Sequence, residues 1–259
     1  MKLQYASDLH LEMATNMKFI KANPLLPKAD ILLLAGDITH LEDSSFKDEV
    51  FDLWSSEFKQ VYMIPGNHEF YDKCFPISGT LPTFEKKVRE NVIYLNNKTI
   101  IIGDVRIIFT TLFSNIPPNK KFEIRHSIAD FYRSIYSGVT KQILTIDEFH
   151  EAHQICLDFL EGELKTDSKG KTIVVSHFVP FHKNKLKDYP WFPMDLSSYF
   201  HVELEWLCEA YKIDHWISGH THIPFKSFQL ENTWMHQNML GYVSHYEHKQ
   251  FRADAILEL

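Results

Sequence analysis

Ile31-Leu32-Leu33-Leu34-Ala35-Gly36-Asp37-Ile38 is a continuous apolar run that stops at a glycine and a carboxylate. Apolar residues in a row, without polar alternation, read as a strand buried on both faces. The Gly-Asp pair that ends it marks a turn carrying a polar side chain. The same arrangement recurs along the chain. Residues 3–6 lead into Ser7-Asp8, with His10 two positions on. Residues 61–64 lead into Pro65-Gly66-Asn67-His68. Residues 172–175 end in Ser176-His177, and residues 215–217 in Ser218-Gly219-His220-Thr221-His222. Five short strands thus each stop at ligand-type residues, and the carboxyl ends of strands are where ligands sit in open α/β sheets.

The intervening segments divide by periodicity. Residues 44–59 place Phe46, Val50, Leu53, Trp54 and Phe58 at helical spacing, with Ser44 or Ser45 as the N-cap. Residues 81–91 and 201–211 are shorter helix candidates. Residues 146–164 form an amphipathic helix that Thr145 and Glu148 open with a capping box. Antiparallel pairs are expected where residues 99–102 and 105–110 flank Gly103-Asp104, and where residues 225–230 and 233–237 flank Glu231-Asn232. The tail, residues 252–259, alternates like a last strand. No repeat, low-complexity tract or linker interrupts the chain. It reads as one α/β domain over residues 1–259, with a small cap at about 115–140 and an aromatic loop at 178–200.

Bulk properties narrow the class. A chain of 259 residues supports one large core. Hydrophobic residues at 44% and charged residues at 24% are those of a soluble globular protein. A net charge of -7 with no long basic run disfavours a nucleic-acid partner. Cys74, Cys156 and Cys208 form no C-x-x-C pair, which argues against a zinc ribbon or redox dithiol and fits a reducing compartment. The opening MKLQYASDLHLE has no signal-peptide core, and no apolar run approaches the roughly 20 residues that span a bilayer. The expectation is a cytoplasmic protein with no membrane partner.

Singly, the polar strand ends have plainer readings: Asp8 and Asp37 as turn residues, Asn67 as a turn after Pro-Gly, His177 as a packed histidine. Together they read D-x-H, G-D, G-N-H-E, a strand-ending H, and G-H-x-H. Carboxylate, amide and imidazole donors without thiolate suit Mn, Fe or Zn. The motifs SDLH (from Ser7), AGDI (from Ala35), PGNHE (from Pro65), SHF (from Ser176) and SGHTH (from Ser218) resemble those of the calcineurin-like metallophosphoesterase superfamily. They span residues 7–222. The resemblance implies a four-layer αββα sandwich of two mixed sheets flanked by helices. It implies two divalent or mixed-valence transition-metal ions (Mn, Fe or Zn). Asp8, His10 and His222 would hold the first, Asn67, His177 and His220 the second, and Asp37 would bridge them. His68 would be the general acid. The implied reaction is hydrolysis of a phosphate ester through in-line attack by a metal-bridging hydroxide.

The chain departs from some relatives. His40 and Leu41 stand where Ser/Thr protein phosphatases carry an aspartate and a phosphate-binding arginine, and Phe178 where many bacterial members carry a second histidine. SDLHLE, GNHEFY and Gly241-Tyr242 resemble the compact bacterial members instead. Glu42, Asp43 and Glu69 are the candidates to support His68. A phosphomonoester dianion calls for an arginine clamp, so the expected substrate is a small phosphodiester. Tyr189, Trp191, Phe192 and Tyr199 are candidates to stack on it. The alternative is a phosphomonoesterase, acting on a nucleotide, sugar or phosphoprotein, that recruits Arg125 or Arg133 to its substrate, while His182 is the candidate to take the substrate role of the histidine that Phe178 replaces. A non-catalytic scaffold is the third reading.

Overall fold

The first and last strands of the chain pair with each other, antiparallel, with Leu3 opposite Leu257. A computed structural model describes residues 1–72, 74–75, 83–186 and 196–259, with side chains left out at 74, 75 and 183. In chain order the elements are β1 (Lys2–Ala6), α1 (Ala14–Ala22), β2 (Ile31–Ala35), α2 (Glu49–Glu57), β3 (Gln60–Ile64), β4 (Cys74–Phe75), β5 (Phe84–Arg89), β6 (Val92–Asn96), β7 (Lys98–Ile102) and β8 (Val105–Thr110). They continue with α3 (Lys121–Ser127), β9 (Tyr136–Ser137), α4 (Ile146–Leu164), β10 (Lys171–Ser176), α5 (Ser197–Phe200), α6 (Glu205–Ala210), β11 (His215–Ile217), β12 (Phe228–Leu230), β13 (Thr233–His236) and β14 (Ile256–Glu258).

Two six-stranded sheets form, ordered β14-β1-β2-β3-β6-β5 and β12-β13-β11-β10-β8-β7. In each, the four inner strands are parallel and the edge strands antiparallel. Side chains alternate across each strand, and the core follows that rule. Leu33 and Ala35 face Ile107, Phe109, Ile173 and Val175 in the layer between the sheets. Leu32 and Leu34 point the other way, onto Ile20 of α1 and Phe51 and Trp54 of α2. On the outer face of the second sheet, Ile108, Val174 and Trp216 meet Phe149, Cys156 and Leu160 of α4. Each such side chain, fully buried, stabilises the fold by about 1.5–3 kcal/mol. The result is the αββα sandwich the motifs implied. Among the described residues no helix is long and apolar enough to cross a membrane.

Local structure corrects several expectations. Residues 44–59 are a short 3-10 turn (Ser45–Lys47) followed by α2, and the cap is Asp48, whose carboxylate accepts the Val50 N–H at 3.0 Å, rather than Ser44 or Ser45. Residues 84–89 are the edge strand β5, not a helix. Phe84 and Val88 lie four apart, a spacing shared by both periods, and register with β6 decides it. The helix near residue 201 begins only at Glu205, because Val202 N–H donates to the Val179 carbonyl and keeps the chain extended. The patterning gave no warning of α1 or β6. At α4 the capping box forms as read, with Thr145 and Glu148 each bonded to the other's backbone N–H. The hairpin turns at Gly103-Asp104 and Glu231-Asn232 also form.

Candidate metal centre

The carboxyl ends of β1, β2, β3, β10 and β11 converge, and all seven residues singled out at those ends are buried or nearly so. Asp8, His10, Asp37, His220 and His222 have φ values of 54, 48, 54, 73 and 52°. The left-handed region costs a non-glycine residue about 1–2 kcal/mol, and such strain gathers at functional sites. Cross-links between the ends hold it. Asp8 and His10 N–H groups donate to the Gly36 and Asp37 carbonyls, both at 2.9 Å. The His68 and His220 N–H groups donate to the Asp37 and Asp8 carboxylates at 2.9 and 3.0 Å.

Two glycines make room. A Cβ on Gly66 would fall 2.6 Å from His177 Nε2 and closer still to Asp37 Oδ1, and one on Gly36 (φ +88°) 2.7 Å from His177 Cγ. Overpacking typically costs about 1–3 kcal/mol, so Gly66→Ala is expected to lower stability by that amount. Thermal unfolding of the metal-free protein reads it, and an unchanged midpoint would show that the gap tolerates a methyl group.

Inside, the histidines meet in two pairs. His10 Nε2 and His222 Nε2 are 3.0 Å apart, and His177 Nε2 and His220 Nδ1 are 3.1 Å apart. Outer partners fix how these rings face. His10 Nδ1 bonds to Glu12 at 3.0 Å, His222 Nδ1 to Glu247 at 2.7 Å, and His177 Nδ1 to the Ala35 carbonyl at 2.9 Å. Each outer nitrogen therefore carries its hydrogen outward and leaves the inner one for the centre. Two inward lone pairs at this distance repel unless positive charge lies between them. Burial opposes protonation of His177 and His222, but Asp37 pushes the first up to about 9, and Asp8 and Glu247 push the second up to about 10. Burial and the neighbouring imidazoles hold His10 below, and His220 well below, the usual histidine value. Each pair thus sets an imidazole that carboxylates favour charging against one that burial keeps neutral, around a position a cation would take.

Asp37 stands between the pairs, its Oδ2 3.8 Å from His10 Nε2 and 3.4 Å from His177 Nε2. Ligand atoms of Asp8, His10, Asp37 and His222 lie within 4.8 Å of one another, as do those of Asp37, His177 and His220. Asn67 follows β3 at the same end of the sheet. Its Nδ2 donates to Tyr71 and Asp130, while its buried Oδ1 has no hydrogen-bond partner. An orphaned buried oxygen beside paired imidazoles and a shared carboxylate is a donor set that fits divalent first-row cations.

His68 lies against this group. Its Nδ1 is 2.9 Å from Glu12 Oε1, the oxygen that also takes His10 Nδ1, and its Nε2 is 3.2 Å from the Tyr242 hydroxyl. The Tyr71 ring stacks on it at 4.1 Å. Burial opposes its protonation, yet Asp37 and Glu12 raise it above the usual value. Despite its own burial, Glu12 is held down to about 2 by the two histidines. The supporting carboxylate is therefore Glu12, not Glu42, Asp43 or Glu69. Asp43 pairs with Lys86 at the surface. Glu69 is buried and takes N–H groups of Asp37, Ile38 and Gly66 with the Tyr94 hydroxyl. Burial and nearby Asp37 push it up to about 8, although donors on both oxygens fit the anion.

The family model for calcineurin-like phosphoesterase matches residues 1–224. The chain belongs to the calcineurin-like phosphoesterases. Membership of that family carries metal-dependent hydrolysis of phosphate esters. The chain is 30% identical to protein L509 of Acanthamoeba polyphaga mimivirus, itself described as uncharacterised, over 99% of this chain and 96% of that one. The phosphopantetheinyl hydrolase PptH of Mycobacterium tuberculosis shares the fold, with a TM-score of 0.71, 18% identity, and coverage of 97% of this chain and 93% of that one.

Other residues singled out from the sequence take no part in the two histidine groups. Arg125 is exposed on α3, and Arg133 is exposed with its guanidinium 5.5 Å from the Tyr132 ring centre. His182 is half-buried in a separate cleft with His153, His201 and Lys120. Phe178 is fully buried, its ring 4.0 Å from that of His220, so it walls the histidine rather than facing a substrate. Tyr199 is a core residue, while Tyr189, Trp191 and Phe192 lie outside the described residues. Glu12, Glu247, Asp130 and Tyr242 escaped the sequence reading. Only the text motifs SDLHLE and Gly241-Tyr242 pointed near two of them.

Proposed function

We propose that this chain is a binuclear metal-dependent phosphodiesterase acting on a small-molecule ester. The supporting observation is the pair of imidazole couples, with ring nitrogens 3.0 and 3.1 Å apart, on either side of Asp37. Asp8, His10 and His222 would hold one cation, Asn67, His177 and His220 the other, and Asp37 both. Two such ions acidify water into a nucleophile at neutral pH and neutralise charge growing on the phosphoryl oxygens.

The protein side of the chemistry falls to His68. With Nδ1–H on Glu12 and a proton on Nε2, it donates that proton to the leaving oxygen as the phosphorus–oxygen bond breaks. Tyr242 bonds Nε2 at the open side and marks where that oxygen arrives. Burial and the surrounding carboxylates keep the Tyr242 hydroxyl protonated, so it serves as a neutral partner.

The diester preference rests on charge. Among the described residues no lysine or arginine pairs with a carboxylate of the centre, while Glu12, Asp130 and Glu247 add negative charge around Asp8 and Asp37. A diester monoanion meets less repulsion there than a monoester dianion. Protein loaded with Mn²⁺ is expected to cleave bis-p-nitrophenyl phosphate with a higher kcat/KM than p-nitrophenyl phosphate. The reverse order would refute the diester preference.

A further inference from the structure

We propose that Asp130, in the segment between β8 and α4, is a positioning residue that holds the Asn67 amide with its oxygen turned to the second cation. This rests on the binuclear reading above and gives the 115–140 segment a place in the metal site.

The side chain of Asn67 has one neighbour that can only accept. Asp130 Oδ1 lies 3.4 Å from Asn67 Nδ2 and 2.7 Å from the Tyr71 hydroxyl, which is itself 3.3 Å from that Nδ2. A carboxylate facing the amide fixes nitrogen toward it and oxygen away from it. The oxygen so turned is the buried Oδ1 without a hydrogen-bond partner. Asp130 is held in its turn by the Tyr199 hydroxyl on its other oxygen. It is 1% exposed, and among the described residues it pairs with no lysine or arginine. A buried carboxylate without a cation is costly. A dication held by Asn67 Oδ1 would offset that charge through the polarised amide, so that the carboxylate and the ion would stabilise each other.

Tyr71 extends the link, since its ring stacks on His68 while its hydroxyl holds Asp130. One aspartate from the cap segment therefore steadies both the second cation's amide ligand and the ring that covers the proposed acid.

Calorimetric titration of metal-free protein with Mn²⁺ tests the assignment. Wild type is expected to take two ions. Asp130→Asn should leave the first ion's affinity within about threefold and weaken the second by about 10–100-fold, the usual loss when an outer partner of a ligand is removed. Tyr199→Phe, which takes one donor from Asp130 and leaves Asn67 untouched, should weaken the second ion in the same direction but less, and it decides the matter if Asp130→Asn does not fold. An aspartate that merely anchored the cap would lower thermal stability and leave the two affinities unchanged or lower them together, and either result overturns the proposal. Uptake of fewer than two ions by wild type would overturn the binuclear reading and this proposal with it. Two ions in wild type with an unaltered second site in the variants would overturn this proposal alone.

Discussion

Asp37→Asn is expected to abolish tight binding of both ions and to reduce turnover by more than about 10²-fold, since loss of an outer partner alone costs 10–100-fold in metal affinity or activity. Asp37 is the one side chain common to the two ligand groups. Its other oxygen accepts the His68 N–H at 2.9 Å, which also ties it to the third strand end. Burial would raise its carboxyl, but His177 and His68 hold it well below the usual carboxylate range, so it is a full negative charge at neutral pH. An amide in its place keeps the shape and removes the charge that the two proposed cations would share. Elemental analysis after reconstitution reads the first effect and ester hydrolysis the second. An Asp37→Asn protein that kept two ions and full turnover would reject the bridging role.

The second large effect concerns His68. Its replacement by alanine should keep both ions and cost a factor on the order of 10²–10⁴ in rate, the range for loss of a general acid or base. The loss should depend on the leaving group. An alkoxide needs a proton to depart, while p-nitrophenolate departs readily without one. His68→Ala is therefore expected to harm an alkyl ester far more than an activated aryl ester. Glu12→Gln should show the same selectivity with a smaller amplitude, because Glu12 takes the Nδ1 hydrogen of His68 and so turns Nε2 toward the centre. Equal losses on both esters would assign the pair to packing and not to proton transfer.

How much of this was readable in the sequence depends on where the information lies. Strands β1, β2, β3, β10 and β11 announced themselves because each is a short apolar run closed by a turn and a polar residue, and the capping box of α4 is written within four residues. The seven strand-end residues were legible for the same reason, since position at a strand end is a local property. Several of the bonds around them are not local. Glu12 bonds to His68 from 56 positions away, and Asp130 meets Tyr199 from 69 away. Periodicity marks neither carboxylate, because contact across the fold brings these groups together. The misread β5 shows the opposite limit. Its two apolar residues fit helix and strand alike, and only pairing with β6 separates them. Arg125 and Arg133 were candidates because arginine suits phosphate, but side-chain type does not say which face of a segment meets the solvent.

Anomalous diffraction from crystals grown with Mn²⁺ bears most directly on the proposal that two cations share Asp37. Two peaks about 3.5–4 Å apart are expected, one between His10 and His222 and the other between His177 and His220, with Asp37 touching both and Asn67 Oδ1 turned to the second. A single peak at full metal loading, or peaks away from these imidazole pairs, would contradict it.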